Sequence, residues 1–368
     1  MESSNSEITL REYAPRPMLT VPAHEIDRPR FDVIDAHNHL GGGVFGDSDY
    51  FHRWPVEQLL ALMDSVSVRM IFDLDGGWGE RLRSEIAHYQ EPHPDRFAVF
   101  AGLDYDNFAS DPNFGETEAR RLRDSVAQGA RGLKAWKVLG LRLRDTQGRL
   151  IPIDDERLGP LWETAGELDV PVLIHIADPV AFFEPLDRFN ERWEELQENP
   201  DWHFYPIRPK GDLNHPDFPS FQELMDQFEN LLTRHAKTTF IGAHVGCYAE
   251  NLGWVGRVMD KCPNFYADIS ARIQELGRQP VTAHEFFVRH QDRILFGTDA
   301  APDVAVYRLY YRFLETRDEY INSDTRGEMP GNGRWMIYGL DLPDDVLRKV
   351  YYDNAHRLIT ARHASEVK

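Results

Sequence analysis

The sequence predicts an α/β barrel of eight parallel strands, and three observations lead there. Short β-rich apolar runs alternate with longer helical patterns along the chain. The runs number eight, and they are continuous rather than alternately apolar and polar, as strands buried on both faces are. A doubly wound sheet, the competing architecture, would offer a glycine-rich phosphate loop after its first strand, and none is present. The 368 residues suit one (β/α)8 TIM barrel with insertions.

Taken in order, residues 1–30 are polar and proline-rich without periodicity and read as an N-terminal arm, followed by one barrel domain over 31–368. The strands expected are FDVIDA (31–36), VRMIFDLD (68–75), RFAVFAGL (96–103), ARGLKAW (130–136), PVLIHI (171–176), TTFIGAH (238–244), FYADIS (265–270) and RILFGTD (293–299). VEQLLALMDSVS, EARRLRDSVAQG, RLGPLWETAGELD and FQELMDQFENLLTRH carry apolar residues at helical spacing between them, and TAHEFFVRHQ precedes the last strand. Two connections exceed the usual few residues: about 178–219 after strand five and about 300–340 after strand eight. Both leave C-terminal strand ends, the face that carries a barrel's active site, so both are expected to wall the substrate.

Composition narrows the partners. A net charge of −20 disfavours nucleic acid and anionic membrane, and no apolar run approaches a span. The polar N-terminus shows no signal-peptide core, and two cysteines, Cys247 and Cys262, make no disulfide framework. They read as reduced packing thiols in a cytoplasmic protein.

The strand ends carry the chemistry. His37 and His39 end strand one, His175 lies near the end of strand five, His244 ends strand six and Asp299 ends strand eight. Strand parity lets His37 and His39 share a face while Asn38 turns aside. One His-x-His alone is a weak signal. In a barrel, four imidazoles and a carboxylate converge at one mouth, and three imidazoles plus a carboxylate are a familiar ligand set for zinc or another divalent transition ion. Asp73 and Asp75 on strand two are further inward candidates.

VIDAHNHL, PVLIHIADP, FIGAHVG, RILFGTDAAP and YYDNAHRLI, in this order over about 31–360, resemble the amidohydrolase superfamily. The similarity is to its amidohydrolase-related branch of TIM-barrel metal-dependent hydrolases. It implies that His37, His39, His175 and Asp299 ligate a metal, with zinc first and manganese or iron(II) as alternatives. His244 would be a further ligand or the histidine that polarises the substrate. Some superfamily members bridge two metals with a carboxylated lysine on strand four. Lys134 fits that place better than Lys137, so one ion or two stays open.

The implied reaction is hydrolysis of an amide, ester or lactone, with Asp299 moving the proton of a metal-bound water. The same branch also contains non-oxidative decarboxylases, which is the alternative. A non-catalytic binding protein is a third class, disfavoured by the full ligand set. A small, cyclic, oxygen-rich substrate suits the arginines and aromatic residues of the long loops. These are Phe182, Phe183, Arg188, Asn190, Arg192, Trp193, Trp202 and Arg208 after strand five, and Trp136, Arg142 and Arg144 after strand four. His203 and His215 also lie in the fifth loop. Trp136 and Arg272 are the substrate contacts singled out, because each sits just beyond a strand. Gly41, Gly42 and Gly43 would let backbone approach the substrate. Homo-oligomers are common in the family.

Overall fold

The structure, a computed structural model, describes residues 8–9, 12–41, 54–207, 217–325, 327 and 330–360. Eight parallel strands follow one another in sequence order: β1 Val33–Asn38, β2 Val68–Asp73, β3 Phe97–Gly102, β4 Gly132–Ala135, β5 Val172–Ile174, β6 Phe240–Gly242, β7 Phe265–Asp268 and β8 Ile294–Leu295. Every neighbouring pair is parallel. Backbone hydrogen bonds from Ala36 N to Phe296 O (2.9 Å) and from Asp299 N to His37 O (2.8 Å) join the two edges. The barrel is a (β/α)8 TIM barrel, as the alternation of strand and helix predicts.

An outer helix follows each strand. These are α1 Val56–Ser65, α2 Gly79–Glu85, α3 Phe114–Ala127, α4 Gly159–Glu167, α5 Phe221–Arg234, α6 Leu252–Lys261, α7 Pro280–His290 and α8 Val304–Glu315. Local chemistry sets several starts. Ser220 and Glu223 form a reciprocal capping box on α5, and the Asp303 carboxylate accepts from Ala305 N and Val306 N at the head of α8. The segment after β8 is therefore not one long loop, since α8 occupies its first third. Among the described residues no helix is long and apolar enough to cross a membrane.

Two apolar layers result. The larger fills the space between strands and helices. The inner layer joins Ile34, Ala36, Phe72, Phe100, Leu173, Ile241 and Leu295 inside the barrel. Ala355 and Ile359, from a final helix α9 (Asn354–Thr360), pack on it, and Asn354 donates to Ile294 O at the start of β8 (2.8 Å). This plugs the end opposite the histidines.

β1 breaks its own alternation, and the break positions the site. Ile34 and Ala36 face the barrel interior, while the Asp35 carboxylate faces out and accepts from Tyr307 Oη of α8 (2.9 Å). Regular alternation would send His37 outward with Asp35. Pairing with β2 slips instead: Asp35 is opposite Ile71 and Asn38 opposite Asp73, three residues against two. This bulge re-aims the strand. Parity explains why His37 and His39 share a face; the bulge explains why that face is the inner one. Asn38 points out, donating to Asp35 Oδ2 (2.8 Å), Thr298 Oγ1 (3.1 Å) and Ala300 O (2.9 Å). It thereby ties the end of β1 to both neighbours of Asp299.

Residues 12–32 contain no strand or helix. His24 N donates to Asp318 Oδ2 (2.7 Å), and Arg30 pairs with Asp344 (2.7 Å) and with Glu315 (3.4 Å).

Candidate active site

The mouth is built from three imidazoles turned the same way. His37 Nδ1 donates to Asp268 Oδ2 at the end of β7 (2.9 Å). His39 Nδ1 donates to Asp75 Oδ1 just beyond β2 (2.8 Å), and His244 Nδ1 to Ser270 O (2.8 Å). Each acceptor fixes the tautomer, so each Nε2 is the nitrogen left to face the centre. All three Nε2 atoms converge on Asp299: Oδ1 is 3.7 Å from His37 and 3.4 Å from His39, and Oδ2 is 3.6 Å from His244. Ligand atoms of His37, His39 and Asp299 lie within 4.8 Å of one another, as do those of His37, His244 and Asp268.

This arrangement fits a divalent ion. Two imidazole nitrogens and a carboxylate oxygen leave coordination positions open for substrate or water. The carboxylates behind His37 and His39 are the support that metal-bound histidines ordinarily carry. Asp299 keeps 24% of its side-chain surface exposed, whereas the imidazoles are buried. His244 (φ 59°) and Asp299 (φ 51°) both occupy the left-handed region, a conformation costing roughly 1–3 kcal/mol each. The cost is met by fixed partners, among them the Asp268 carboxylate accepting from His244 N (3.0 Å) and the His37 carbonyl accepting from Asp299 N (2.8 Å).

Electrostatics divide the histidines. Burial depresses His37, reinforced by the neighbouring Lys134, and burial with His175 close by holds His244 well below the usual range. Burial also takes His175 down to about 4. His39 goes the other way: burial opposes its charge, but Asp75 and Asp299 outweigh it and raise it to about 9. Burial works against Asp299 too, yet the three imidazoles hold its carboxyl well below the carboxylate range. Asp73 is the opposite case, since burial and the nearby Asp75 push it well up, toward the neutral form.

His175 stands beside this group, its ring 4.4 Å from that of His244. Its Nε2 lies 3.0 Å from Ala177 O and 3.5 Å from Asp178 Oδ1, and Asp178 in turn accepts from Lys137 Nζ (2.5 Å). Lys134 is fully buried on β4, its Nζ 3.2 Å from His37 Nε2 and 4.7 Å from the centre of the Trp136 ring. Burial brings its ammonium down to about 8. Trp136 covers His39, with ring centres 4.8 Å apart.

A cavity of about 610 Å³ opens from this mouth. Trp136, Phe182, Trp202 and Phe204 form apolar walls, and Lys137, Arg142, Arg192 and Arg272 line it among His37, His175, His244 and Asp299. Of the other loop residues, Phe183 packs on Phe204 and Phe221 away from the mouth, and Asn190 braces its own loop through Ala181 O. Arg144 donates to Gly148 O, Arg188 covers Phe189, and His203 Nε2 bonds Glu184 O. Gly42, Gly43, Arg208 and His215 lie outside the described residues.

Three residues escaped the sequence reading: Asp268, Ser270 and Asp178. Ser270 Oγ donates to Asp268 Oδ1 (2.5 Å) and sits within 3.0 Å of both the His37 and His244 Nδ1 atoms. Asp268 closes β7 as Asp299 follows β8, so the strand-end rule that selected Asp299 would have selected it as well.

Residues 34–360 match the family model described as Amidohydrolase. The chain belongs to the amidohydrolase family. Its members are metal-dependent enzymes. Among solved structures, a dihydroxybenzoic acid decarboxylase from a Polaromonas species, with bound manganese and the inhibitor 2-nitroresorcinol, is 17% identical. The match covers 91% of this chain and 99% of that one, with a TM-score of 0.57. The 2,6-dihydroxybenzoate decarboxylase from Rhizobium is 17% identical over 90% and 99% of the two chains, with a TM-score of 0.53. A TIM-barrel protein from Bordetella bronchiseptica is 14% identical over 84% of each, with a TM-score of 0.52. At these identities the likeness is one of fold. No curated protein matches the sequence.

Proposed function

We propose that this family member is a divalent-metal hydrolase that cleaves an amide, ester or lactone bond of a small cyclic substrate. One observation carries the reading: Asp299 offers its two oxygens to different partners, Oδ1 to the His37–His39 pair and Oδ2 to His244. One oxygen can serve a metal while the other handles a proton. In this reading His37, His39 and Asp299 hold the ion, with His175 as the further ligand. The ion is zinc in the first instance, with manganese or iron(II) as alternatives. When bound, it supplies an acidified water and a Lewis acid for the carbonyl. Asp299 Oδ2 accepts the proton of the attacking water and returns it to the leaving group. His244, on the same side, presents an unprotonated Nε2 3.6 Å from Asp299 Oδ2 and shares the proton that Oδ2 takes up. Trp136 provides a flat wall for the substrate ring. A second ion would require Lys134 as a carbamate, which a mass increase of one CO₂ on intact protein would reveal.

The aromatic walls and the cationic residues of the cavity favour a second reading, decarboxylation of a small aromatic acid. The solved structures named above include enzymes of that activity. There a C–C bond would break, CO₂ would leave with the carboxylate carbon, and Asp299 would pass to the ring carbon a proton that it has first taken up from water.

Metal content of purified protein, with His37→Ala as control, tests the centre. Equal content in both would remove the basis of either reading. Panels of lactones, esters and aromatic acids, followed for acid release and for CO₂, separate the two. The polar surface chemistry and two free buried cysteines suit a cytoplasmic enzyme.

A further inference from the structure

Four cationic side chains line the cavity, and three of them already have a partner. Lys137 is neutralised by Asp178. Arg192, almost fully buried, forms ion pairs with Glu195 (2.7 Å) and with Glu275. Arg142 donates to the Asp201 carbonyl (2.8 Å) and lies against the rings of Phe204 and Phe218. Arg272 differs. It is 6% exposed, its Nη1 donates only to its own neighbour's carbonyl, Ala271 O (2.7 Å), and its Nε has no hydrogen-bond partner among the described residues. It forms no ion pair among them. Glu195 and Glu250 lie within its field but not in contact, and burial biases both toward their neutral forms.

A guanidinium taken out of water without an anion is costly, and such groups are retained where something pairs with them. Here that partner is a ligand, because Arg272 lines the same cavity as His244 and Asp299. We propose that Arg272 is the anchor for a substrate carboxylate, holding it at a point apart from the bond that reacts at Asp299. The inference rests on the reading of this cavity as the substrate site and specifies the substrate class: a cyclic monocarboxylate. One buried positive charge without an anion matches one negative charge. A phosphate dianion would call on a second such cation, but Lys137 and Arg192 are already neutralised, and Arg142, which has no ion pair among the described residues either, is exposed to solvent and held by the Asp201 carbonyl and the Phe204 and Phe218 rings. The planar fork of the guanidinium donates to both oxygens of a carboxylate side by side.

The test uses full-length protein stripped of metal with a chelator. Benzoate and its neutral isostere benzamide are titrated while the fluorescence of the cavity tryptophans is followed. Wild type should bind benzoate about 10- to 100-fold more tightly than benzamide, the range of a charge-assisted pair. Arg272→Met should abolish that preference and leave benzamide affinity unchanged. Its melting temperature without ligand should equal or exceed that of wild type, because an unpaired buried charge is gone. Arg272→Lys, which keeps the charge but loses the fork, should restore part of the preference. Equal binding of the two probes to wild type, or a benzoate preference that survives in Arg272→Met, would overturn the proposal. Because no metal is present, failure of the metal-centre reading leaves this result untouched. Normal metal uptake without a benzoate preference would overturn the anchor alone.

Discussion

Gly297 lies between β8 and Asp299 and presses on His37. A Cβ built there would stand 2.9 Å from His37 Cβ, 3.3 Å from His37 N and 3.5 Å from Ser270 Cβ. Ordinary contact begins at 3.4 Å, so alanine demands about 0.5 Å of movement from His37. The Cβ and backbone of His37 cannot swing aside as a side-chain tip would, because Asp268 grips the ring and Asp299 N bonds the carbonyl. Metal–ligand distances tolerate only about 0.2 Å. Gly297→Ala should therefore weaken metal binding by roughly 10- to 100-fold, the scale of lost ligand support. It should also lower the stability of the metal-free protein by about 1–3 kcal/mol, the usual cost of overpacking. Competition of zinc or manganese against a chromophoric chelator measures the first, and urea unfolding of stripped protein the second. Gly159→Ala is the control, because its Cβ would meet only His235 Cε1 at 3.8 Å. Wild-type metal affinity in Gly297→Ala would refute the reasoning, since the His37 ring would then tolerate displacement.

Further outcomes are expected. Asp268→Asn and Asp75→Asn should each reduce metal affinity by about 10- to 100-fold without removing a ligand of the His37–His39–Asp299 group, as chelator competition would show. His39 titrates at about 9 in the metal-free protein, so it carries a proton at pH 7.5, and metal binding should release that proton. Affinity should rise with pH up to about 9 and then level off; calorimetry in buffers of different ionisation enthalpy reads the release directly, and a buffer-independent enthalpy at pH 7.5 would contradict it. Arg192→Met leaves Glu275 buried beside an apolar group and should destabilise by about 3–5 kcal/mol in urea unfolding. Adding Glu275→Leu should recover most of that loss, and no recovery would show that the pair is not the cause.

Strand positions and the gathering of His37, His39, His244 and Asp299 were legible in the sequence because each depends on a short-range signal. An apolar run gives a strand, and the residue at its C-terminal end gives the mouth. Orientation was less legible. Parity shows that two residues share a face but not which face, and nothing in VIDAHN announces the bulge that turns His37 inward. Partnership was hardest. Asp75, just beyond β2, shares its parity with Asp73 at the end of that strand, and only the fold shows that Asp75 holds His39 while Asp73 is pushed toward its neutral form. The Lys137–Asp178–His175 chain joins β4 to the loop after β5, a contact no local pattern encodes. The helix Val304–Glu315 went unread because its sequence follows the strand end closely and looks like one extended insertion.

The bulge in β1 also separates two jobs within one strand. Upstream of it, Ile34 and Ala36 answer to the packing of the barrel interior; downstream, His37 and His39 answer to the mouth. The extra residue works like a joint between them, so the chemical half can be redesigned without moving the greasy half out of register. Straightening the joint while keeping every residue would exchange the faces, aiming Asn38 at the cavity and turning two imidazoles toward α8. For anyone transplanting this metal-binding end onto another barrel, the joint, and not the His-x-His triplet alone, is the unit to move.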